Sequence, residues 1–188
     1  MKFPTVTAAI TTTIIGLFLA FGALPENLIW QNNAAYSWQL ISAHFVHIGA
    51  DHLTWNLLAL IILASIIEQH SVKRLLLSLT LGCAFVNLYL LTLFDLPAYA
   101  GLSGVLNTLL VVALYQIAQR PEYRTAAIVS FMASIAKISL EWLREDALFS
   151  SLIWPSVPQA HFAGLLGGIV LCLFINNDCG FNANKKAA

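Results

Sequence analysis

Apolar residues run along this chain in long stretches separated by short polar breaks. Thr5 to Leu24 is an uncharged run that ends in the turn signal Pro25-Glu26-Asn27. Further runs cover about His52 to Ile67, Leu75 to Phe94, Ala98 to Gln119, Thr125 to Trp142 and Gln159 to Ile175. Several approach the ~20 residues needed to cross a hydrocarbon core of ~30 Å, so the pattern predicts six transmembrane helices. The first run exceeds the roughly 7–15 apolar residues of a signal peptide, and a retained helix is expected. Between the first and second runs, Leu28 to Ala50 mixes polar and aromatic residues. Trp30, Tyr36 and Trp38 favour the headgroup level, so this segment is expected to be a structured loop on or in the interface.

Composition supports the membrane assignment. Of the 188 residues, 59% are hydrophobic and 10% charged, whereas an ordinary soluble domain has about 25% charged residues. The expected fold class is all-α: a polytopic six-helix bundle in one domain over residues 1–188, with no separate soluble domain. The net charge of zero offers no argument for nucleic acid. Cys83, Cys172 and Cys179 show no paired spacing and are expected to be free thiols. Six crossings place both termini on one side. Lys2, Lys73, Arg74, Arg120, Arg124, Lys185 and Lys186 fall on that side, and only Lys137 and Arg144 on the other. The positive-inside rule makes the terminal side cytoplasmic. His52, Ser103 and His161 then all lie near the outer ends of the second, fourth and sixth helices.

Two motifs carry the candidate chemistry: Gly101-Leu102-Ser103-Gly104 and Ala160-His161-Phe162-Ala163-Gly164. A serine and a histidine at the heads of two apolar helices suggest a nucleophile and its base. Small residues and serine also serve plain helix packing in membranes. Ser103, however, falls near the start of its helix, where leading N–H groups lack intrahelical partners and the dipole end is positive. Gly164 and Gly168 share a helical stripe with His161 and would let that helix pack closely on a neighbour. If that neighbour is the fourth helix, the imidazole reaches Ser103. The alternative for His161 is an interfacial polar tip with no chemical role.

His52 and Asn56, four apart, project from one face of the second helix, and both can donate hydrogen bonds to an oxyanion. His44 and His47 precede that helix and could orient the loop. Several histidines near one membrane face also raise the possibility of a metal, but no His-Glu-x-x-His run is present, and neither a metal nor another cofactor is expected. Lys137 and Glu141, four apart near the outer end of the fifth helix, can neutralise each other. A pair at the lipid–water boundary beside Trp142 and Arg144 is the simplest reading, with a role in shaping the site left open.

His47, His52 and Asn56, Gly101-Leu102-Ser103-Gly104, and His161 with Gly164 and Gly168 together resemble the rhomboid family of intramembrane serine proteases. The resemblance spans roughly residues 5 to 176. It implies a Ser-His dyad without an acid, with Ser103 as nucleophile and His161 as general base, and an oxyanion held by His52, Asn56 and the Ser103 backbone N–H. Substrates would be transmembrane segments of other proteins, with residues 25–50 and 143–158 as gates. The small size and the sequence Gly101-Leu-Ser-Gly-Val-Leu106 are similar to the rhombosortase branch, as is Lys137-Ile-Ser-Leu-Glu141. That branch comprises bacterial enzymes that process exported proteins bearing C-terminal Gly-Gly anchors, and it implies residence in the inner membrane with the site facing outward; the alternatives are a general rhomboid protease cleaving other transmembrane substrates and a rhomboid-like protein that binds helices without cutting them. One departure is Asn107, where many rhomboids have a tyrosine that supports the histidine. Its amide could hydrogen-bond the imidazole instead.

Overall fold

The computed structural model describes residues 3–32, 36–93, 98–144 and 157–183, the stretch 176–183 by its backbone alone. Lys2, Lys185 and Lys186 of the charge count, the Cys179 side chain, and residues 145–156 of the expected second gate lie outside the described residues. The chain is mostly helical. In order it forms α1 (Thr5–Phe21), β1 (Trp30–Gln31), α2 (Gln39–Ser42), α3 (Ala50–His70), α4 (Val72–Thr92), β2 (Ala98–Tyr99), α5 (Ser103–Ala118), α6 (Pro121–Arg144) and α7 (Pro158–Ala183).

The helix boundaries follow from local chemistry. α1 stops at Gly22, whose φ of +72° is open to glycine at little cost. Ser71 alone separates α3 from α4, and its hydroxyl accepts from the Arg74 backbone N–H at 3.3 Å, capping α4. Pro121 and Pro158 open α6 and α7, where a missing N–H is harmless. The Glu68 carboxylate near the end of α3 accepts from the backbone N–H groups of Val6 and Thr7 at 2.9 and 2.7 Å, and from the Thr7 hydroxyl. A negative charge thus meets the positive end of α1 and ties the two helices together.

Among the described residues, α3, α4, α6 and α7 are long and apolar enough to cross a membrane, while α1 and α5 are shorter apolar helices. The expected count of six uniform helices therefore needs amending: there are seven helices among the described residues, α2 being a single turn, and a short antiparallel strand pair joins them. The larger correction concerns the fourth expected helix, which begins at Ser103 rather than Ala98. Tyr99 pairs across to Trp30 in β1, and Gly101 takes φ +123°, a conformation incompatible with continuing a right-handed helix.

α5 occupies the centre, packed against α3, α4, α6 and α7. Leu102 at its N-cap and Val105, Leu109, Val112 and Ala113 within it meet Leu60, Ala64 and Ile67 of α3, Leu75 of α4 and Leu171 of α7 in one core. Large apolar side chains elsewhere point outward, among them Leu58, Ile62, Leu88, Leu91, Val129, Met132, Leu173 and Phe174. Water would not tolerate so large an apolar surface, whereas lipid matches it. At 1.5 Å per residue the 16 residues of α5 span about 24 Å, less than a hydrocarbon core of ~30 Å.

Candidate active site

Residues 100–102, which lead into Ser103, are non-helical, and neighbouring protein groups bond part of their backbone, as irregular structure in an apolar protein requires. The Gly101 N–H donates to the Ala43 carbonyl at 2.8 Å, and the buried Tyr99 hydroxyl donates to the Gly101 carbonyl at 3.1 Å. A Cβ on Gly101 would lie 2.5 Å from Cε1 of His52, so glycine is required here for both its φ and its closeness to that ring. Ser103 is then the first residue of α5, half-buried, at the end of the helix that carries unpaired N–H groups and positive potential.

α7 brings His161 to the same place. Gly164 packs so tightly on α5 that a Cβ there would overlap the Gly104 carbonyl, and one on Gly168 would lie 2.7 Å from Cβ of Val111. Gly104 is equally confined, facing Val86, the Tyr99 hydroxyl and the Ala160 carbonyl. The Thr108 hydroxyl closes the contact by donating to the Gly164 carbonyl. Since lipid is as apolar as leucine, this close backbone approach is what holds membrane helices together. One turn earlier on α7, His161 Nε2 lies 3.0 Å from Ser103 Oγ, a hydrogen-bonding distance. With its lone pair on Nε2, the imidazole can take the hydroxyl proton as the oxygen attacks a carbonyl.

His52 on α3 lies beside this pair through its contact with Gly101. Asn56, one turn on, is 5% exposed. His52 Nδ1 and Asn56 Nδ2 are buried without hydrogen-bond partners among the described residues. Buried donors are nearly always satisfied, so such groups suit a ligand oxygen or water. His47 packs edge-on to His52, ring centroids 5.2 Å apart. Burial pushes its imidazole down to about 3, and the neighbouring His52 acts in the same direction, so His47 is neutral at physiological pH. His44 belongs to a clasp: its Nε2 meets Asn87 Oδ1 at 2.9 Å, and the Asn87 amide donates to the Leu40 carbonyl at 2.8 Å. Asn107 does not bond the imidazole. Its amide donates to the Ser103 carbonyl at 2.9 Å, stiffening the first turn of α5.

The contact not read from the sequence is at the opposite ring nitrogen. His161 Nδ1 lies 3.3 Å from Glu141 Oε2, and Lys137 Nζ donates to Glu141 Oε1 at 2.6 Å. The Glu141 side chain is 2% exposed and that of Lys137 37%, so the pair is not a symmetric surface bridge. The spacing of four announces that these two residues meet, but it carries no information about which face of α6 turns towards α7. Among the described residues, no three His, Cys, Asp or Glu side chains are grouped to hold a metal. Cys83 and Cys172 are free thiols.

The family model described as Rhomboid domain matches residues 34–177, most of the chain and all of the residues discussed above. No curated protein matches it.

Proposed function

Because the chain belongs to the rhomboid family, whose members are generally intramembrane serine proteases, we propose that it is a serine endopeptidase with Ser103 as nucleophile and His161 as general base. The observation that carries this reading is the 3.0 Å approach of His161 Nε2 to Ser103 Oγ at the first turn of α5. A substrate's transmembrane segment presents its scissile carbonyl there. Ser103 Oγ bonds to the carbonyl carbon as its proton passes to Nε2. The tetrahedral oxyanion accepts hydrogen bonds from His52, Asn56 and the Ser103 backbone N–H. Collapse breaks the C–N bond, and Nε2 returns the proton to the leaving amine. Water then attacks the acyl-enzyme carbonyl carbon, giving one proton to His161 Nε2; collapse breaks the C–Oγ bond, Nε2 returns that proton to Ser103 Oγ, and the new C-terminal carboxylic acid leaves and ionises. The buried, unpartnered nitrogens of His47, His52 and Asn56 make a polar recess of the kind that retains water below the membrane surface.

The finer reading is a rhombosortase that cuts C-terminal Gly-Gly anchors from exported proteins. It is supported by Gly101-Leu-Ser-Gly-Val-Leu106. In this reading α1 and α5 cross the membrane alongside the four longer helices, both termini are cytoplasmic, and the site faces outward from a bacterial inner membrane.

The test is cleavage, in membranes, of a reporter with a Gly-Gly C-terminal anchor beside one with a generic transmembrane segment, each with wild-type and Ser103→Ala protein. Serine-dependent cutting of the first alone is the expected result. Cutting of both makes the protein a general rhomboid protease. Cutting that survives Ser103→Ala removes Ser103 from its role.

A further inference from the structure

We propose that Glu141 is the third member of a Ser103-His161-Glu141 triad, a positioning residue that sets the tautomer and orientation of His161 and is itself held by Lys137. The inference rests on the protease reading above and replaces an acid-free dyad with a charge-supported one.

Burial is the first argument. An i,i+4 Lys-Glu pair whose purpose is solvation keeps both heads in water or headgroups. Here only the lysine reaches outward, and the carboxylate is turned into the protein, 2% exposed. A buried carboxylate is costly unless its oxygens are engaged. α6 has only three buried residues, Ala127, Ile138 and Glu141, so an otherwise lipid-facing helix directs its one inward charge at α7.

Division of the oxygens is the second. Oε1 takes the Lys137 ammonium at 2.6 Å, and Oε2 faces His161 Nδ1 at 3.3 Å. Nδ1 has no hydrogen-bond partner closer to hand among the described residues. An ionised carboxylate can only accept, so the arrangement favours the imidazole with its proton on Nδ1. That leaves the Nε2 lone pair for the Ser103 hydroxyl at 3.0 Å, the tautomer general-base catalysis requires. When Nε2 takes the serine proton, the resulting imidazolium faces a fixed negative charge. Glu141 takes no proton at any step. Lys137 keeps the carboxylate charged and fixed in rotamer, so its removal should matter less than removal of the carboxylate.

The experiment uses the full chain, with ¹⁵N-labelled histidine, in lipid nanodiscs. Two readouts are taken: the His161 ring-nitrogen signals, which report the tautomer, and the rate at which a fluorophosphonate labels Ser103. In wild type and Ser103→Ala, Nδ1 should carry the proton. Glu141→Gln should disturb that signal and slow labelling by at least tenfold, towards the ~10⁴ by which the equivalent amide substitution lowers kcat in a Ser-His-Asp triad. KM for a cleaved reporter should stay near the wild-type value. Glu141→Asp should recover part of the rate, and Lys137→Met should cost only a few-fold. An unchanged His161 signal with wild-type labelling in Glu141→Gln overturns the proposal. If that variant does not fold, Glu141→Asp carries the test, because its carboxylate is drawn back from Nδ1 and a wild-type rate there is equally fatal. Loss of the protease reading would look different: wild type itself would show no Ser103-dependent labelling, while the tautomer would still report whether Glu141 governs His161.

Discussion

Each residue near Ser103 can be weighed by what it is free to do. Asn107 has spent its amide on the Ser103 carbonyl, and His44 holds the Asn87 clasp through Nε2 while its Nδ1 has no hydrogen-bond partner among the described residues. His52 Nδ1 and Asn56 Nδ2 are likewise buried without a partner among the described residues, and in the proposed mechanism they donate to the oxyanion that forms beside Gly101. His52→Ala and Asn56→Ala should therefore each lower kcat by about 10²–10³, the usual loss for one oxyanion donor, with KM changed far less. Wild-type kcat in both variants would move the oxyanion elsewhere. At this scale the sequence was readable where a short motif names its own residues, as for Ser103 and His161, whose side chains the structure brings within 3.0 Å of each other. It paired Glu141 with Lys137 but did not place it beside His161, because the orientation of α6 about its axis is decided by packing against α5 and α7 and not by the i,i+4 spacing.

At the scale of elements, the α5–α7 contact sets the Ser103–His161 distance on which the proposed catalysis depends. Gly164 and Gly168 were legible as a packing stripe, since small residues repeated on one face of a membrane helix have few other uses. The start of α5 was not legible: Ala98 to Gln119 is continuously compatible with helix, and the β1 partner that removes Ala98 and Tyr99 from it lies far away in sequence. A methyl group on Gly164 has no space against the Gly104 carbonyl, so Gly164→Ala must push the helices apart. A misplacement of about 1 Å can cost about 10² in rate, and the 3.0 Å Ser103–His161 contact has little slack. Labelling of Ser103 in Gly164→Ala should fall by at least about 10². Gly16→Ala, whose Cβ would meet nothing within 4 Å, should label as wild type. Equal rates in the two variants would detach the reaction from the α5–α7 interface.

Across the whole molecule, charge is divided between two ends. Lys73 and Arg74 sit at the α3–α4 turn and Arg120 and Arg124 at the α5–α6 turn, opposite the end that holds Ser103, His161 and Glu141. At that second end the described Lys and Arg residues are Lys137 and Arg144, and Lys137 is already neutralised by Glu141. The structure thus sharpens the bias counted from the sequence, which could not discount a lysine held by a buried acid. Basic residues near the ends of transmembrane segments stay cytoplasmic, and each gains about 1 kcal/mol from the anionic leaflet. The catalytic end should then face outward. With Cys83, Cys172 and Cys179 replaced by serine, single cysteines at Glu26 and Gln119 report the two ends, and neither removes a basic residue. Both positions are exposed. A membrane-impermeant maleimide added to intact spheroplasts should label Glu26→Cys at once and Gln119→Cys only after lysis. The reverse order would put the site on the cytoplasmic face, where exported anchors are no longer its natural substrates, and the Gly-Gly reading would fail even if Ser103 proved to be the nucleophile.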